Sequence, residues 1–374
     1  MSKPVFSQTN DRWICPKDLP TTSCSWISSF YRSVVRFPFS RHTRKQYKHF
    51  IIKCNCYATI EGEMKKINEY RILFIGTPLI ASLVLEDLIK EGFNIVGLVA
   101  QEDKPVGRKK EIVPVPTKKV ALRYNIPVYQ PHRIRKDYEF IRNLDVDLIL
   151  TIAYGQIIPH ELLSIPRYGC LNLHGSLLPK YRGAAPIQRA ILEGETKTGI
   201  TLMEMVDEMD AGDMFFKEEV EISSCDTYTT LVPKMAKAAS KICIEHLQDY
   251  FDGKLPRIKQ DTTLVTFANK ILPEDEKLSV DETCDLFINH VRALSEEPGA
   301  YLYLDNKKLK IFMATKACDI LIEKVGEILI KKGLFLKLKD GVVRLNNIQL
   351  EGKKRMDDVS FANGSQVLNH LLVK

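Results

Sequence analysis

Hydrophobic and polar positions change period along the chain, and the changes mark its organisation. From residue 71 onward, short uninterrupted apolar runs alternate with stretches in which apolar residues recur every three or four positions. The runs predict buried strands and the stretches amphipathic helices. A strand over 71–76, a helix over 78–90 with Pro78 near its first turn, and a strand over 94–100 open the series. A helix over 136–143 leads into a strand over 146–153. Residues 168–173, bounded by Pro166 and the Gly175-Ser176 turn, make another strand; 199–205 and 214–222 supply two more, and 227–251 one long helix. This alternation predicts a mostly parallel sheet with helices on both faces, the doubly wound, Rossmann-like α/β class.

The helical period is interrupted over 252–273 by Gly253, Pro256 and Pro273 among polar residues. Beyond it, a helix over 281–294 precedes short segments at 300–304, 308–313, 326–330, 334–339 and 342–350, separated by turn signals, which suggests a small β-barrel. The expected organisation is an α/β domain over 64–252, a linker over 253–273 and a barrel over 274–374.

Composition adds limits. A chain of 374 residues with 45% apolar and 27% charged residues has room for two soluble domains, and no apolar run approaches the length of a membrane span. Nine cysteines, mostly widely spaced, suggest reduced thiols in an intracellular protein. Cys54-x-Cys56 lacks two further ligands at sensible spacing, so no metal is expected. Residues 1–60 hold ten Lys/Arg against two Asp, a net +8, which leaves the rest of the +7 chain at −1. Overall basicity is therefore no footprint of nucleic-acid binding by the folded body. Residues 1–63 form an atypical extension with two readings: an organelle transit peptide, rich in Arg and Ser and poor in acid, or a leader ahead of a translation start at Met64. The second is favoured, and peptides from residues 1–60 in the mature protein would overturn both.

The candidate chemistry lies where the strand over 168–173 ends. Period-two alternation puts Asn172 and His174 on one face. A neutral imidazole can take a proton from an attacking amine, and an Asn amide can donate to the oxyanion of a tetrahedral intermediate. Asp210 in Met209-Asp210-Ala211-Gly212-Asp213 is the candidate carboxylate that would fix the imidazole tautomer and favour its protonated form. The plain alternative, an Asn capping a turn and a satisfied core His, would be the better reading of an isolated N-x-H. A single Gly76 follows the first strand, so G-x-G-x-x-G is missing and NAD binding is not supported. Ser176 has no nucleophile-elbow context.

An ordered series of motifs changes those odds: Phe74-Ile75-Gly76-Thr77-Pro78, Ala153-Tyr154-Gly155, Asn172-Leu173-His174-Gly175-Ser176-Leu177-Leu178-Pro179, Arg182-Gly183-Ala184-Ala185-Pro186-Ile187-Gln188, Asp210-Ala211-Gly212-Asp213 and Glu351-Gly352-Lys353-Lys354-Arg355-Met356. From Tyr70 to the C-terminus the chain resembles the methionyl-tRNA formyltransferases. The resemblance implies catalytic roles for Asn172, His174 and Asp210, a folate-binding loop at Ser176, Leu177, Leu178 and Pro179, and an OB-like C-terminal domain that helps hold tRNA. It implies 10-formyltetrahydrofolate as co-substrate, initiator methionyl-tRNA as acceptor, no metal, no membrane, a monomer, and a bacterial cytoplasmic setting, or the mitochondrial matrix or another organelle if the extension is a transit peptide. Arg108, Lys109 and Lys110 fall in the loop that the family directs to the acceptor end. Lys353, Lys354 and Arg355 follow the last barrel strand as a second candidate RNA contact. For each basic cluster taken alone, solvated surface charge is the ordinary alternative. Formyltransferases acting on glycinamide ribonucleotide or amino-sugar nucleotides, and formyl-folate hydrolases, share the Asn/His/Asp set; 182–188 and the barrel favour the tRNA enzyme. A non-catalytic RNA-binding module would leave function intact on His174→Ala.

Overall fold

The computed structural model describes residues 65–106 and 111–364, together with the backbone of the short strands Gln8–Thr9, Arg12–Trp13 and Leu371–Leu372. The chain divides into two compact units, Met1–Met64 and Lys65–Lys374. Apart from the short strands Gln8–Thr9 and Arg12–Trp13, the extension 1–63 lies outside the described residues, as do the candidate RNA contacts Arg108, Lys109 and Lys110.

Seven strands form the first sheet: β1 (Ile72–Gly76), β2 (Ile95–Val99), β3 (Val128–Tyr129), β4 (Leu148–Ile152), β5 (Cys170–His174), β6 (Lys197–Glu204) and β7 (Met214–Glu221). Their order across the sheet is β7-β6-β5-β4-β1-β2-β3. The five strands from β5 to β3 are parallel, and β6 and β7 turn antiparallel at one edge. Every residue of β1 and β4 is buried, as expected of strands covered on both faces.

Helix α1 (Leu79–Lys90) buries Val84, Leu85 and Leu88 on one face of this sheet. Helix α4 (Tyr228–Phe251) packs on the same core, and Ser240 Oγ donates to Asp87 Oδ2 at 2.7 Å to tie it to α1. On the opposite face Leu73, Ile75 and Ile149 pack with Ile134, Ile141 and Leu162. The stretch expected as a helix over 136–143 is a 3-10 segment, Glu139–Leu144, ended by Asp145 at φ 46. Ile141 is buried in it and Phe140 and Leu144 pack partly buried beside it, and the left-handed Asp145 stops the segment at six residues. Among the short helices that periodicity did not reveal are α2 (Pro116–Arg123) and α3 (Pro186–Leu192), each opened by a proline.

Helix α5 (Cys284–Ala293), capped by Thr283, leads into β8 (Ala300–Leu304), β9 (Lys307–Lys316), β10 (Glu327–Ile330), β11 (Leu334–Lys337) and β12 (Val342–Leu350). The order is β8-β9-β12-β11-β10, with Leu371–Leu372 beside β10, and every pairing is antiparallel. Register shifts in β9 curl the sheet into a half-barrel. Phe287 and Val291 of α5 plug its apolar side. The helix also joins the two domains: Arg292 Nη1 donates to the carbonyls of Ser223 and Asp226 at 3.0 and 2.9 Å.

Residues 253–273 lie against the α/β domain. Ile258 exchanges two 2.8 Å backbone hydrogen bonds with Met214. Arg182 N–H donates to the Thr266 carbonyl at 2.9 Å, and Ala268 N–H to the Arg182 carbonyl at 2.7 Å. Among the described residues no helix is long and apolar enough to cross a membrane.

Candidate active site

The carboxyl end of β5 opens one strand away from the β1/β4 switch point, where ligands of doubly wound sheets bind. Asn172 and His174 stand two residues apart there, in register with Met203 and Thr201 of β6. His174 is buried and Asn172 half-buried.

His174 Nε2 lies 2.9 Å from the Tyr181 carbonyl oxygen. A carbonyl only accepts, so Nε2 carries a proton and Nδ1 is the free basic nitrogen of the neutral ring. Nδ1 faces Asp210 Oδ1 at 3.5 Å. Asn172 Nδ2 donates towards the same oxygen, also at 3.5 Å. The structure thus brings the three candidate residues together around one carboxylate oxygen. The other oxygen, Oδ2, accepts from Gly183 N–H at 2.9 Å. One expectation is corrected: the tautomer is set by the Tyr181 backbone, because the carbonyl contact is the shorter, and Asp210 faces the opposite nitrogen.

Two residues of this arrangement sit in the left-handed backbone region, Tyr181 at φ 62 and Asp210 at φ 51. Each costs about 1–2 kcal/mol relative to ordinary backbone, so the surroundings must hold it. Tyr181 is pinned at both ends. Its N–H donates to Thr266 Oγ1 at 2.9 Å, and its hydroxyl donates to Glu193 or Glu195, 2.6 and 2.9 Å away. Burial and these carboxylates push its phenol well above the usual tyrosine range. Asp210 is held through its carbonyl, which accepts from Gln260 Nε2 at 2.8 Å.

Glycines permit the close approaches. Gly183 has φ +124, and a Cβ there would lie 2.7 Å from the Ala268 carbonyl oxygen. A Cβ on Gly212 would overlap the Glu204 carbonyl oxygen.

The candidate folate loop is built as a rigid turn. Ser176 Oγ donates to the Lys180 carbonyl at 2.6 Å, while Thr201 Oγ1 donates to the Ser176 carbonyl at 2.7 Å and accepts from Leu178 N–H at 3.1 Å. Ser176 and Leu178 are fully buried, and Leu178 packs with Met203 and Met214. Leu177 and Pro179 keep partial exposure and form the accessible part of the loop. Lys217 Nζ donates to the Leu178 carbonyl, and burial lowers its ammonium below the usual lysine range.

Lys353 and Lys354 are exposed in the turn after β12. Arg355 is occupied: its guanidinium lies 4.2 Å from the Phe312 ring centroid and pairs with Glu296 at 2.9 Å. Among the described residues no group of three or more His, Cys, Asp or Glu is placed to hold a metal ion.

Sequence reasoning missed Tyr181, Thr266 and Gln260. Tyr181 was within reach, since it follows the loop directly; Thr266 and Gln260 carry no local signal.

Residues 70–247 match the family described as formyl transferase, and residues 270–366 the one described as formyl transferase, C-terminal domain. The chain is 40% identical over 297 residues to the methionyl-tRNA formyltransferase of Malacoplasma penetrans, covering 79% of this chain and 93% of that protein. With the Bacillus subtilis methionyl-tRNA formyltransferase it shares 41% over 302 residues, 79% of this chain and 95% of that one. Among solved structures, the sugar 3N-formyl transferase WlaRD, determined with dTDP and 5-N-formyl-THF, matches with TM-score 0.56 at 19% identity, over 78% of this chain and all of that one. HypX from Aquifex aeolicus in complex with tetrahydrofolic acid matches with TM-score 0.57 at 16% identity, over 81% of this chain and 51% of that one. At these identities the structural likeness speaks for the fold.

Proposed function

The chain belongs to the methionyl-tRNA formyltransferase family, and on that premise we propose that it moves the formyl group of 10-formyltetrahydrofolate to the α-amino group of methionine esterified to initiator tRNA. The observation that carries this reading is the convergence of Asn172 Nδ2 and His174 Nδ1 on Asp210 Oδ1, each at 3.5 Å. Contacts of that length are loose enough to be exchanged for substrate contacts and to tighten in the transition state.

The neutral amine attacks the formyl carbon. A C–N bond forms as the carbonyl π pair moves onto oxygen. Asn172 Nδ2–H and a protonated His174 Nδ1–H donate to that oxyanion. The Asp210 carboxylate supports the imidazolium and relays the proton lost by the amine, and N10 of the folate gains a proton as its bond to the formyl carbon breaks. Formyl-methionyl-tRNA and tetrahydrofolate leave. No covalent enzyme intermediate is required.

Leu177 and Pro179 supply the accessible surface for the folate heterocycle, on a loop that Ser176 and Leu178 hold rigid. Arg108, Lys109, Lys110, Lys353 and Lys354 are the proposed phosphate contacts. Arg355, engaged with Phe312 and Glu296, acts by shaping the turn beside them. We assign a monomer working where initiation takes place: the cytoplasm, as befits the bacterial relatives, or an organelle matrix if residues 1–63 act as a transit peptide.

The test is incubation of purified protein with 10-formyltetrahydrofolate and charged initiator tRNA, followed by release and identification of the amino acid. Formyl-methionine is the expected product. Transfer to water or to an amino-sugar nucleotide instead would refute the reading.

A further inference from the structure

Both strained residues of the site are held by the segment that joins the two domains. Thr266 takes the Tyr181 N–H, and Tyr181 in turn orients His174. Gln260 uses its whole side-chain amide. Nε2 donates to the Asp210 carbonyl at 2.8 Å and to the Gly212 carbonyl at 2.9 Å, and Oε1 accepts from Arg182 Nε at 3.0 Å. Arg182 lies between Tyr181, whose carbonyl holds His174, and Gly183, whose N–H holds Asp210. The amide therefore bridges the loop that orients the imidazole and the loop that carries the carboxylate. Its two donors and one acceptor are matched to two carbonyls and one guanidinium, an arrangement no apolar or acidic side chain reproduces.

We propose that Gln260 is a positioning residue for formyl transfer: it fixes the spacing between the His174-orienting loop and Asp210, and so makes the interdomain segment part of the active site. The inference rests on the formyl-transfer reading for its kinetics, while its structural content stands apart from it. Removing the amide frees Asp210 from its left-handed conformation and lets Oδ1 drift from His174 Nδ1. A misplacement of about 1 Å at such a contact costs roughly 10²-fold in rate.

Gln260→Ala and Gln260→Glu test this together. The alanine variant should lose roughly 10²-fold in kcat, with KM for both substrates essentially unchanged and the protein still folded. The glutamate variant keeps the Arg182 contact but turns a carboxylate oxygen towards two carbonyls. Its kcat relative to wild type should be low at pH about 8 and rise severalfold towards pH about 5, as the introduced carboxyl gains a proton it can donate. A ratio flat in pH, an unchanged kcat in the alanine variant, or a loss confined to KM would each overturn the proposal. Imidazole 15N shifts of His174 give a readout without substrate. Wild type should show a protonated Nε2 and Gln260→Ala a mixture of tautomers, and identical spectra refute the tie. If the wild type transfers no formyl group to tRNA, the functional reading fails while the 15N comparison still decides the role of Gln260. Should the alanine variant not fold, the pH ratio and spectra of the glutamate variant decide.

Discussion

Asp210→Asn separates the charge of the carboxylate from its shape. The amide oxygen can still accept the Gly183 N–H now held at 2.9 Å, and the backbone tie to Gln260 is untouched. The fold should therefore survive, with thermal unfolding close to wild type. The chemistry should not. Because the Tyr181 carbonyl holds the proton of His174 on Nε2, the ring can donate to an oxyanion only as an imidazolium, and its second proton faces Asp210 Oδ1 at 3.5 Å. At an effective dielectric of about 20 a full charge pair at that distance is worth roughly 5 kcal/mol, the upper bound on what the substitution removes. The new amide nitrogen would in addition donate to Nδ1 and trap it as an acceptor. Loss of one acid–base group of this kind costs about 10²- to 10⁴-fold, roughly 2.7 to 5.5 kcal/mol, so the bound admits all but the top of that range. Single-turnover formylation of charged tRNA, with unfolding measured on the same preparation, checks it. A properly folded Asp210→Asn enzyme within fivefold of wild type would refute the assignment of charge stabilisation to Asp210.

Further outcomes follow from the same geometry. Gly183→Ala forces a side chain into φ +124 against the Ala268 carbonyl and should cost roughly 1–3 kcal/mol, read in denaturant titration; a variant as stable and active as wild type would contradict the packing. Asp226 is buried, and although burial opposes its charge, bonds from Lys234, Ser223 and Thr230 hold its carboxyl well below the usual carboxylate range. A depressed carboxylate contributes stability above its unfolded value of about 3.9 and loses it as pH falls towards the folded one. Asp226→Asn should thus be destabilised by up to roughly 3 kcal/mol at pH about 7, with a gap to wild type that narrows below pH about 4; a gap independent of pH would dismiss the ion-pair account. Arg108→Ala, or the pair Lys353→Ala and Lys354→Ala, should weaken use of charged tRNA and spare folate binding. Removing one phosphate-binding cation should reduce the salt-dependence slope by about one, and equal losses for both substrates would mean that the residues serve the fold.

Local pattern carries a good deal of this molecule. The apolar runs of β1, β4 and β5 and the stripe of α4 were legible because a buried strand or a one-faced helix leaves a periodic trace in any window of the chain. Short elements left none: α2 and α3 span two turns each, and β3 has two residues. At the site, the N-x-H spacing already placed Asn172 and His174 on one face, since alternation along a strand is a local rule. Asp210 was a candidate whose pairing with them rested on resemblance, because its proximity to His174 across the intervening chain leaves no trace in any periodicity.

What the sequence determined by itself was the order of the longer strands and helices, the pair on β5 and the membership signalled by its ordered motifs. Tertiary structure decided which imidazole nitrogen is free, which loop residues are buried, and that residues 253–273 clamp the site. The reason is physical. Propensity and periodicity report on neighbours within a few positions, whereas a backbone carbonyl at Tyr181, an amide at Gln260 and a hydroxyl at Thr266 act through hydrogen bonds between segments up to 85 residues apart. A stretch rich in proline, glycine and polar residues reads as a linker because it has no period of its own; its order is supplied by the partners it meets only once the chain has folded.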